Sequence, residues 1–319
     1  MTNILGIHHV TAIAGDPQRN VDFYTGVLGL RLVKKTVNFD DPYIYHLYFG
    51  DESGSPGTLL TFFPWSAQAR RGRRGTGQLR FFSFSIPNNS LGFWKDKLKK
   101  LRIDFNGQFT RFGEEGITVR DHDGFEFDLI ESKSDSRAPR DNGFIPATFA
   151  IRGFHSVTLL ESSDEQTSEF LTSTLEFHSV EQSNNRSRFR CSDEAGTIID
   201  IVHQPETQRG TMGVGIVHHV AWRVPDDQTQ LRVRETLINR GYDVTPVIDR
   251  NYFHSIYFHE PGGVLFEVAT DPPGFLIDEA KDELGTHLKL PIQYELYRDE
   301  LEKSLPPIHI AALKNIEAD

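Results

Sequence analysis

The chain has 319 residues, a formal net charge of -11 and a single cysteine. This length allows two ordinary domains with a sizeable core, and the acidic balance argues against general nucleic-acid binding. The lone Cys191 excludes an internal disulfide and suits a reducing compartment. The sequence shows neither signal-peptide features nor an apolar run of about 20 residues, the length that spans a membrane, so we expect a cytoplasmic protein without a membrane partner.

The predicted elements repeat one order along the chain, which is a strand, a helix and three further strands. The first unit opens with a strand at 7–13, and its helix begins with Asp16 as the cap and Pro17 in the first turn. Gly29 ends that helix. The first strands and helices of the other three units are predicted at 79–86 and 91–101, at 153–160 and 164–175, and at 216–224 and 226–240. We therefore predict an α+β fold of four βαβββ modules.

The modules fall into two halves, because a polar linker at 132–146 separates the second module from the third. The predicted divisions are 1–135 for the first pair of modules, 147–270 for the second pair and 271–319 for a C-terminal tail with a helix. That helix is expected at 290–305, where Pro306 and Pro307 follow it.

Two pairs of adjacent histidines stand in apolar strands at opposite ends of the chain. His8 and His9 lie in the first strand of the first module, and His218 and His219 lie in the same place in the fourth. Side chains alternate between the two faces of a strand, so one histidine of each pair is expected to point inward. Our interpretation is that two inward histidines and Glu267 hold a metal ion.

Alignment of the four modules suggests which positions share a location. The aligned first-strand residues are His9, Ser83, His155 and His219, and the aligned last-strand residues are Thr61, Asp128, Asp200 and Glu267. The residues that would share a cup depend on which modules pair. Modules one and four would offer His9, Thr61, His219 and Glu267; modules three and four would offer His155, Asp200, His219 and Glu267; modules two and three would offer Ser83, Asp128, His155 and Asp200. The spacing does not choose between these pairings.

The repeated units resemble the vicinal oxygen chelate superfamily, which includes glyoxalases and extradiol ring-cleaving dioxygenases. A closer resemblance, over nearly the whole chain, is to the hydroquinone-specific ring-cleaving dioxygenases. The stretches that carry it are His8-His9-Val10-Thr11, Phe62-Phe63-Pro64, His218-His219-Val220-Ala221, Asp249-Arg250, Tyr257-Phe258 and Gly262-Gly263-Val264-Leu265-Phe266-Glu267. The resemblance implies that the modules form two half-barrel domains, with a metal ion in one cup.

The same resemblance implies a site and a reaction. Its metal ligands fall on His9, His219 and Glu267, a set of two histidines and one carboxylate that suits non-haem Fe(II), with Mn(II) as the alternative metal. The residues around the ligands fall on His8, Thr11, His218, Arg250 and Tyr257. The implied partners are a small aromatic substrate, a hydroquinone, and O2. The sequence leaves open the ring substituents, a catabolic or detoxifying role, and whether the protein is a homo-oligomer.

Each candidate residue also has a plain structural interpretation. Glu267 would face water if its strand lay at a sheet edge, although a buried carboxylate in so apolar a strand needs a partner or a metal. His8 and His218 would pack between layers unless the backbone bulges. Tyr257 would donate a hydrogen bond to a bound phenolate and Arg250 would stabilise negative charge, or both would pack at the surface. The residues without an assigned place are His46, His254 and His259. His155 is either a further ligand or a relic of the repeat that forms hydrogen bonds in the core.

Two other classes of function fit the same sequence. One is a metal-dependent lyase or isomerase of the glyoxalase type, and the other is a metal-free protein that binds small molecules. Replacement of His219 by alanine separates a dioxygenase from a metal-free protein, since it would abolish oxygen uptake by the first and leave ligand binding by the second intact.

Overall fold

The computed structural model describes residues 3–140 and 142–310 and shows two curled eight-stranded sheets. The predicted α+β fold of four βαβββ modules in two half-barrels is confirmed. The strands are β1 Gly6–Ala14, β2 Arg31–Val37, β3 Tyr45–Gly50, β4 Leu59–Pro64, β5 Gln78–Pro87, β6 Phe109–Arg111, β7 Glu114–Arg120, β8 Glu126–Ser132, β9 Gly153–Glu161, β10 His178–Ser183, β11 Arg186–Arg190, β12 Ile198–His203, β13 Ile216–Val224, β14 Ile248–Asp249, β15 Phe253–His259 and β16 Leu265–Pro273. The α-helices are α1 Pro17–Val21, α2 Leu91–Lys100, α3 Glu165–Ser173, α4 Asp227–Asn239 and α5 Arg298–Ser304.

Two of the helices begin at aspartate caps. Asp16 and Asp226 accept hydrogen bonds from the third backbone N–H of α1 and of α4, at 2.9 and 2.7 Å, which satisfies donors that have no partner within the helix. The first helix continues past α1 as a π-helix, Asp22–Val27, which the sequence pattern did not predict. Gly29 follows with φ +73, a backbone conformation that favours glycine.

Two predicted elements are shorter or differently wound than expected. The segment 244–249, where the module order predicts a strand after α4, forms only β14, because Pro246 interrupts it and has no N–H to donate to a neighbouring strand. The helix predicted at 290–305 is a 3-10 helix, Ile292–Tyr297, followed by α5. The last residues of the predicted tail, 311–319, lie outside the described part of the chain.

One sheet combines modules that are far apart along the chain, and the other combines modules that follow each other. The order β14-β15-β16-β13-β1-β4-β3-β2 joins the first and fourth modules, with β1 antiparallel to β13. The order β10-β11-β12-β9-β5-β8-β7-β6 joins the second and third, with β5 antiparallel to β9. The division at 1–135 and 147–270 remains a proposal about sequence segments, and each sheet takes one module from each segment.

Each of the four central strands carries one extra residue relative to its partner. These residues are His8 in β1 and His218 in β13 for the first sheet, and Arg80 in β5 and His155 in β9 for the second. A bulge of this kind re-aims the side chains on either side of the extra residue. Both double-histidine motifs therefore contain a bulge at their first histidine.

The strand register shows which residues are equivalent in the four modules. Thr61, Asp128, Asp200 and Glu267 pair with the parallel first strands at Thr11, Ser83, Thr158 and Ala221, so the predicted last-strand alignment is confirmed. In the first sheet, His9 and His219 stand two residues before these partners. In the second sheet, the same positions are Phe81 and Ser156. The predicted equivalence of Ser83 and His155 with the two ligand histidines is therefore wrong. For Ser83 the predicted alignment is wrong by two residues, which keeps the side chain on the same face of the strand, so the alternation of faces could not reveal the error. For His155 it is wrong by one residue, because His155 is the extra residue of a bulge.

The beginning of the tail is fastened against the first sheet. The buried Lys34 amine of β2 donates to Asp278 at 2.6 Å and also to Glu279. Phe275 packs its ring against Tyr48 and Tyr252, with centroids 5.1 and 4.7 Å apart. The beginning of the tail therefore packs against side chains of the strands that form the cup, among them the cavity residue Tyr48. Among the described residues no helix is long and apolar enough to span a lipid bilayer.

Candidate metal centre

Three strands of the first sheet bring together the two repeated histidines and one carboxylate. Nε2 of His9 lies 3.3 Å from Nε2 of His219, and Glu267 Oε2 lies 3.3 and 2.9 Å from these two nitrogens. The antiparallel pairing of β1 with β13 brings the histidines together, and β16 runs beside β13 with Glu267 opposite Ala221. All three side chains are buried. The structure thus assembles residues separated by most of the length of the chain.

The three atoms have the spacing of ligands to one ion. Donor atoms at right angles around an ion, each about 2.1 Å from it, lie about 3.0 Å apart. Glu267 Oε2 is buried and has no hydrogen-bond partner of suitable geometry among the described residues, although it lies close to both rings. A metal ion would satisfy that oxygen and both nitrogen lone pairs. The donor set therefore fits a metal held on one face.

The electrostatics of the centre keep its carboxylate ionised. Burial works to raise the pKa of Glu267, but the adjacent His9 and His219 side chains outweigh it and hold this pKa well below its usual range. Burial lowers the pKa of His219. Neutral imidazoles and an ionised carboxylate are the forms that bind a metal.

Ser255 fixes the second oxygen of the carboxylate. Its hydroxyl donates to Glu267 Oε1 from the neighbouring strand β15 and leaves Oε2 to face the histidines. Such contacts orient a ligand and raise its affinity for the metal. Ser255 was not predicted as a site residue. The signal available in the sequence was its spacing of two from Tyr257, which places both side chains on one face of the strand.

The first histidine of each pair contacts the ligand that follows it. The Nδ1 atoms of His8 and His9 are 2.9 Å apart, and those of His218 and His219 are 2.8 Å apart. A ligand ring that turns Nε2 to the metal carries its proton on Nδ1, so each ligand donates to the neighbouring ring. His218 then carries its own proton on Nε2 at the cavity wall. Burial, and next the adjacent ligand, lower the pKa of His8 well below its usual value and that of His218 to about 3, so both rings are neutral.

Arg250 and Tyr257 lie together at the cavity, whereas Thr11 lies beneath it. Arg250 Nε donates to the Tyr257 hydroxyl at 3.2 Å, and its guanidinium is 3.4 Å from Asp40 Oδ2. The Tyr257 ring is 5.8 Å from that of His219. Burial, and next the charge of Glu267, raise the pKa of Tyr257, so its hydroxyl stays protonated. The Thr11 hydroxyl is 2.7 Å from that of Thr61 and does not line the cavity.

An open cavity of about 370 Å³ leads to His9 and His219 of the candidate centre. Its walls are largely aromatic, with a few polar groups. The residues that line it with His9 and His219 include Phe63, Trp65, Phe253, Tyr48, His46 and Asp40. Of the histidines without an assigned place, His46 is the one in this wall. A flat ring with polar substituents suits such a site.

The cup of the second sheet holds ion pairs at the equivalent position. Asp200 accepts hydrogen bonds from Arg186 and Arg188 at 3.0 and 2.8 Å, and Asp128 accepts one from Arg111 at 2.9 Å. His155 Nε2 is 2.9 Å from Glu114. Phe81 and Ser156 stand where the first sheet has its ligand histidines. Guanidinium groups therefore neutralise these carboxylates, and His155 belongs to an ion-pair cluster.

Comparisons with known proteins agree with the geometry. The family model Glyoxalase/Bleomycin resistance protein/Dioxygenase superfamily matches residues 6–129 and 153–277. MhqO of Bacillus subtilis, provisionally named a ring-cleaving dioxygenase, is 45% identical over 309 residues, 97% of this chain and 98% of that protein. The chlorohydroquinone/hydroquinone 1,2-dioxygenase of Sphingobium indicum is 35% identical over 307 residues, 94% of this chain and 95% of that one.

Solved structures show the same fold. A crystal structure from Bacillus subtilis, provisionally described as a dioxygenase, has a TM-score of 0.93 at 44% identity and covers 97% of this chain and 99% of that chain. Glyoxalase I from Zea mays has a TM-score of 0.62 at 16% identity, covering 83% of this chain and 92% of that chain, a likeness of fold alone. The chain belongs to the glyoxalase/bleomycin resistance protein/dioxygenase superfamily and, within it, to the ring-cleaving dioxygenases.

Proposed function

We propose that the protein is an Fe(II)-dependent, extradiol-type dioxygenase that opens the ring of hydroquinones with O2. The observation that carries this proposal is the face of His9, His219 and Glu267, whose open side meets an aromatic cavity. Two histidines and a carboxylate with open positions are typical of non-haem Fe(II) oxygenases. The relative that acts on chlorohydroquinone and hydroquinone supports the substrate class.

Held by His9, His219 and Glu267, the ion would supply the redox chemistry between the substrate and dioxygen. The protein groups around it bind and orient the ring. Arg250 places a positive charge beside the Tyr257 hydroxyl, so negative charge on a bound substrate oxygen is stabilised there. Tyr257 accepts from Arg250 and keeps its own proton. Phe63, Trp65 and Phe253 exclude water from the faces of the ring.

His8 and His218 hold the ligand rings in the tautomer that the metal needs. Thr11 acts from beneath the cavity, through Thr61. Mn(II) is the alternative metal, because the donor set suits both ions. The free thiol of Cys191 agrees with a reducing, cytoplasmic location, which remains part of the proposal.

The experiment is anaerobic loading with Fe(II), followed by oxygen uptake with methylhydroquinone or chlorohydroquinone and, in parallel, with catechol. Uptake with a ring-opened chromophore from hydroquinones is the expected result. The His219→Ala variant should lose both bound iron and uptake, and His155→Ala, in the other cup, should keep both. Activity with catechol alone would move the assignment to catechol cleavage. If the iron-loaded protein consumes no oxygen with the hydroquinones or with catechol, the dioxygenase proposal is overturned in favour of a lyase, isomerase or binding protein.

A further inference from the structure

The cavity contains a second tyrosine that is related to Tyr257 by the module repeat. Tyr257 lies opposite Glu267 in β15 and β16, and Tyr48 lies opposite Thr61 in β3 and β4. Thr61 and Glu267 are equivalent positions of the first and fourth modules. Both tyrosines line the cavity. The repeat thus places one phenol hydroxyl on each side of the cup.

Tyr48 is one end of a hydrogen-bonded chain of four side chains. Its hydroxyl is 2.9 Å from His46 Nδ1, and His46 Nε2 is 2.9 Å from the hydroxyl of Thr61. Thr61 in turn is 2.7 Å from Thr11. The His46 ring lies between the rings of Tyr48 and Phe63, with centroids 4.0 and 4.4 Å away. The imidazole is therefore fixed in position on both faces and at both nitrogens.

The buried end of the chain sets the direction of its donors. Among the described residues, Thr61 is the hydrogen-bond partner of the Thr11 hydroxyl. A buried hydroxyl proton without an acceptor is costly. Thr11 therefore donates to Thr61, and Thr61 donates to His46 Nε2. His46 is neutral, since burial lowers its pKa well below the usual value, and it carries its proton on Nδ1. Nδ1–H donates to the Tyr48 oxygen, so the Tyr48 proton is free to donate into the cavity.

The position of Tyr48 separates its role from that of Tyr257. Tyr257 is on the strand next to Glu267, whereas β4 lies between the strand of Tyr48 and the strand of His9. Neighbouring strands are about 4.8 Å apart, so Tyr48 donates from a part of the cup further from the ligand atoms. A ring with one oxygen at the metal would present an oxygen on its opposite carbon to that part of the cup.

We propose that Tyr48 is a specificity-determining residue that donates a hydrogen bond to the second, metal-free oxygen of a 1,4-dioxygenated ring. His46, Thr61 and Thr11 are positioning residues for it. The proposal rests on the proposed function for the orientation of the substrate, and it names the group that distinguishes a hydroquinone from a simple phenol.

The test compares the anaerobic binding of hydroquinone and of phenol to Fe(II)-loaded protein. The wild type should bind hydroquinone about tenfold more tightly than phenol, as one hydrogen bond to a well-placed donor predicts. Tyr48→Phe should bring this ratio close to one and leave the phenol affinity unchanged. Tyr45→Phe is the matched control on the same strand, because its hydroxyl bonds to the Pro306 carbonyl away from the cavity. Iron content and melting temperature confirm that the variants are folded.

A second variant tests the positioning chain. His46→Leu keeps the Tyr48 hydroxyl but removes its support, and it should lower the hydroquinone-to-phenol ratio by a few fold. The double variant His46→Leu/Tyr48→Phe should match Tyr48→Phe alone, which a merely structural role of His46 would not produce. An unchanged ratio in Tyr48→Phe, or equal weakening of both ligands, would overturn the proposal.

Binding without oxygen separates this proposal from the proposed function. Normal oxygen uptake together with an unchanged ratio in Tyr48→Phe would reject the role of Tyr48 and leave the dioxygenase intact. A ratio that falls in Tyr48→Phe in a protein without oxygen uptake would support Tyr48 and reject the reaction.

Discussion

Thr61 and Glu267 occupy the same place in the two modules of the first sheet, and only the second of them offers a metal ligand. Each lies in the last strand of its module, opposite a tyrosine of the strand beside it. The equivalent residues of the second sheet are Asp128 and Asp200. The hydroxyl at Thr61 therefore leaves the repeat without its second carboxylate.

Thr61→Asp should add a fourth candidate ligand and leave fewer positions open for substrate and O2. We expect the metal to bind about tenfold more tightly, because another anionic ligand is present, and oxygen uptake to fall at least tenfold. Metal titration and oxygen electrode measurements check both effects on one preparation. Unchanged affinity with unchanged uptake would show that Thr61 does not face the metal.

Ser255→Ala should weaken metal binding without removing a ligand. The variant frees Glu267 Oε1 from its hydrogen bond, so the carboxylate loses its fixed orientation. Loss of such a contact typically lowers metal affinity 10- to 100-fold. Competition with a chelator measures the change. Ser83→Ala in the second sheet is the control, since its buried hydroxyl has no hydrogen-bond partner among the described residues, and its affinity should equal that of the wild type.

Arg188→Met should destabilise the fold and spare the metal centre. Arg188 is buried against Asp200, and its removal leaves a buried carboxylate with one fewer partner. A broken buried pair costs about 3 kcal/mol or more, which urea unfolding measures. Arg190→Met removes an exposed ion pair with Asp193 from the same strand and should cost under about 1 kcal/mol. Equal losses in the two variants, or a loss of bound iron, would contradict the structural role of the cluster.

Glu161→Gln should stabilise the protein at alkaline pH. Burial, and next the charge of Glu260, raise the pKa of Glu161 to about 8 from its usual value near 4.5. Between these two values the folded state holds a proton that the unfolded state has lost, so wild-type stability falls as the pH rises toward 8. The variant has no carboxyl group at this position, so this loss of stability with rising pH does not occur in it.

We expect the melting temperature of Glu161→Gln to exceed that of the wild type by several degrees at pH 8, and the difference to disappear near pH 4.5. Glu260→Gln is the contrasting variant. Its carboxylate accepts hydrogen bonds from two backbone N–H groups and from Thr167, so its replacement should destabilise the fold. A pH-independent difference for Glu161→Gln would contradict the raised pKa.

The fold could be predicted from the sequence because its modules are repeated, and the candidate ligand triad because the chain resembles a known family. The double histidines mark equivalent strands, and Glu267 stands out as a carboxylate in an apolar run. The bulges were not visible, since an extra residue in one strand is defined only against its partner. The missed positions, Ser255, His46 and Tyr48, acquire their roles from neighbours across the sheet, and their own segments carry no signal of those contacts.

The topology also sets the order in which a newly made chain can become an enzyme. The second sheet uses the two middle modules and can be completed first during synthesis. His9 emerges near the start, and its partner His219 follows 210 residues later. Strand β1 can therefore pair with β13 only after the fourth module has been made. The candidate metal centre of His9, His219 and Glu267 can therefore form only after synthesis has passed Glu267.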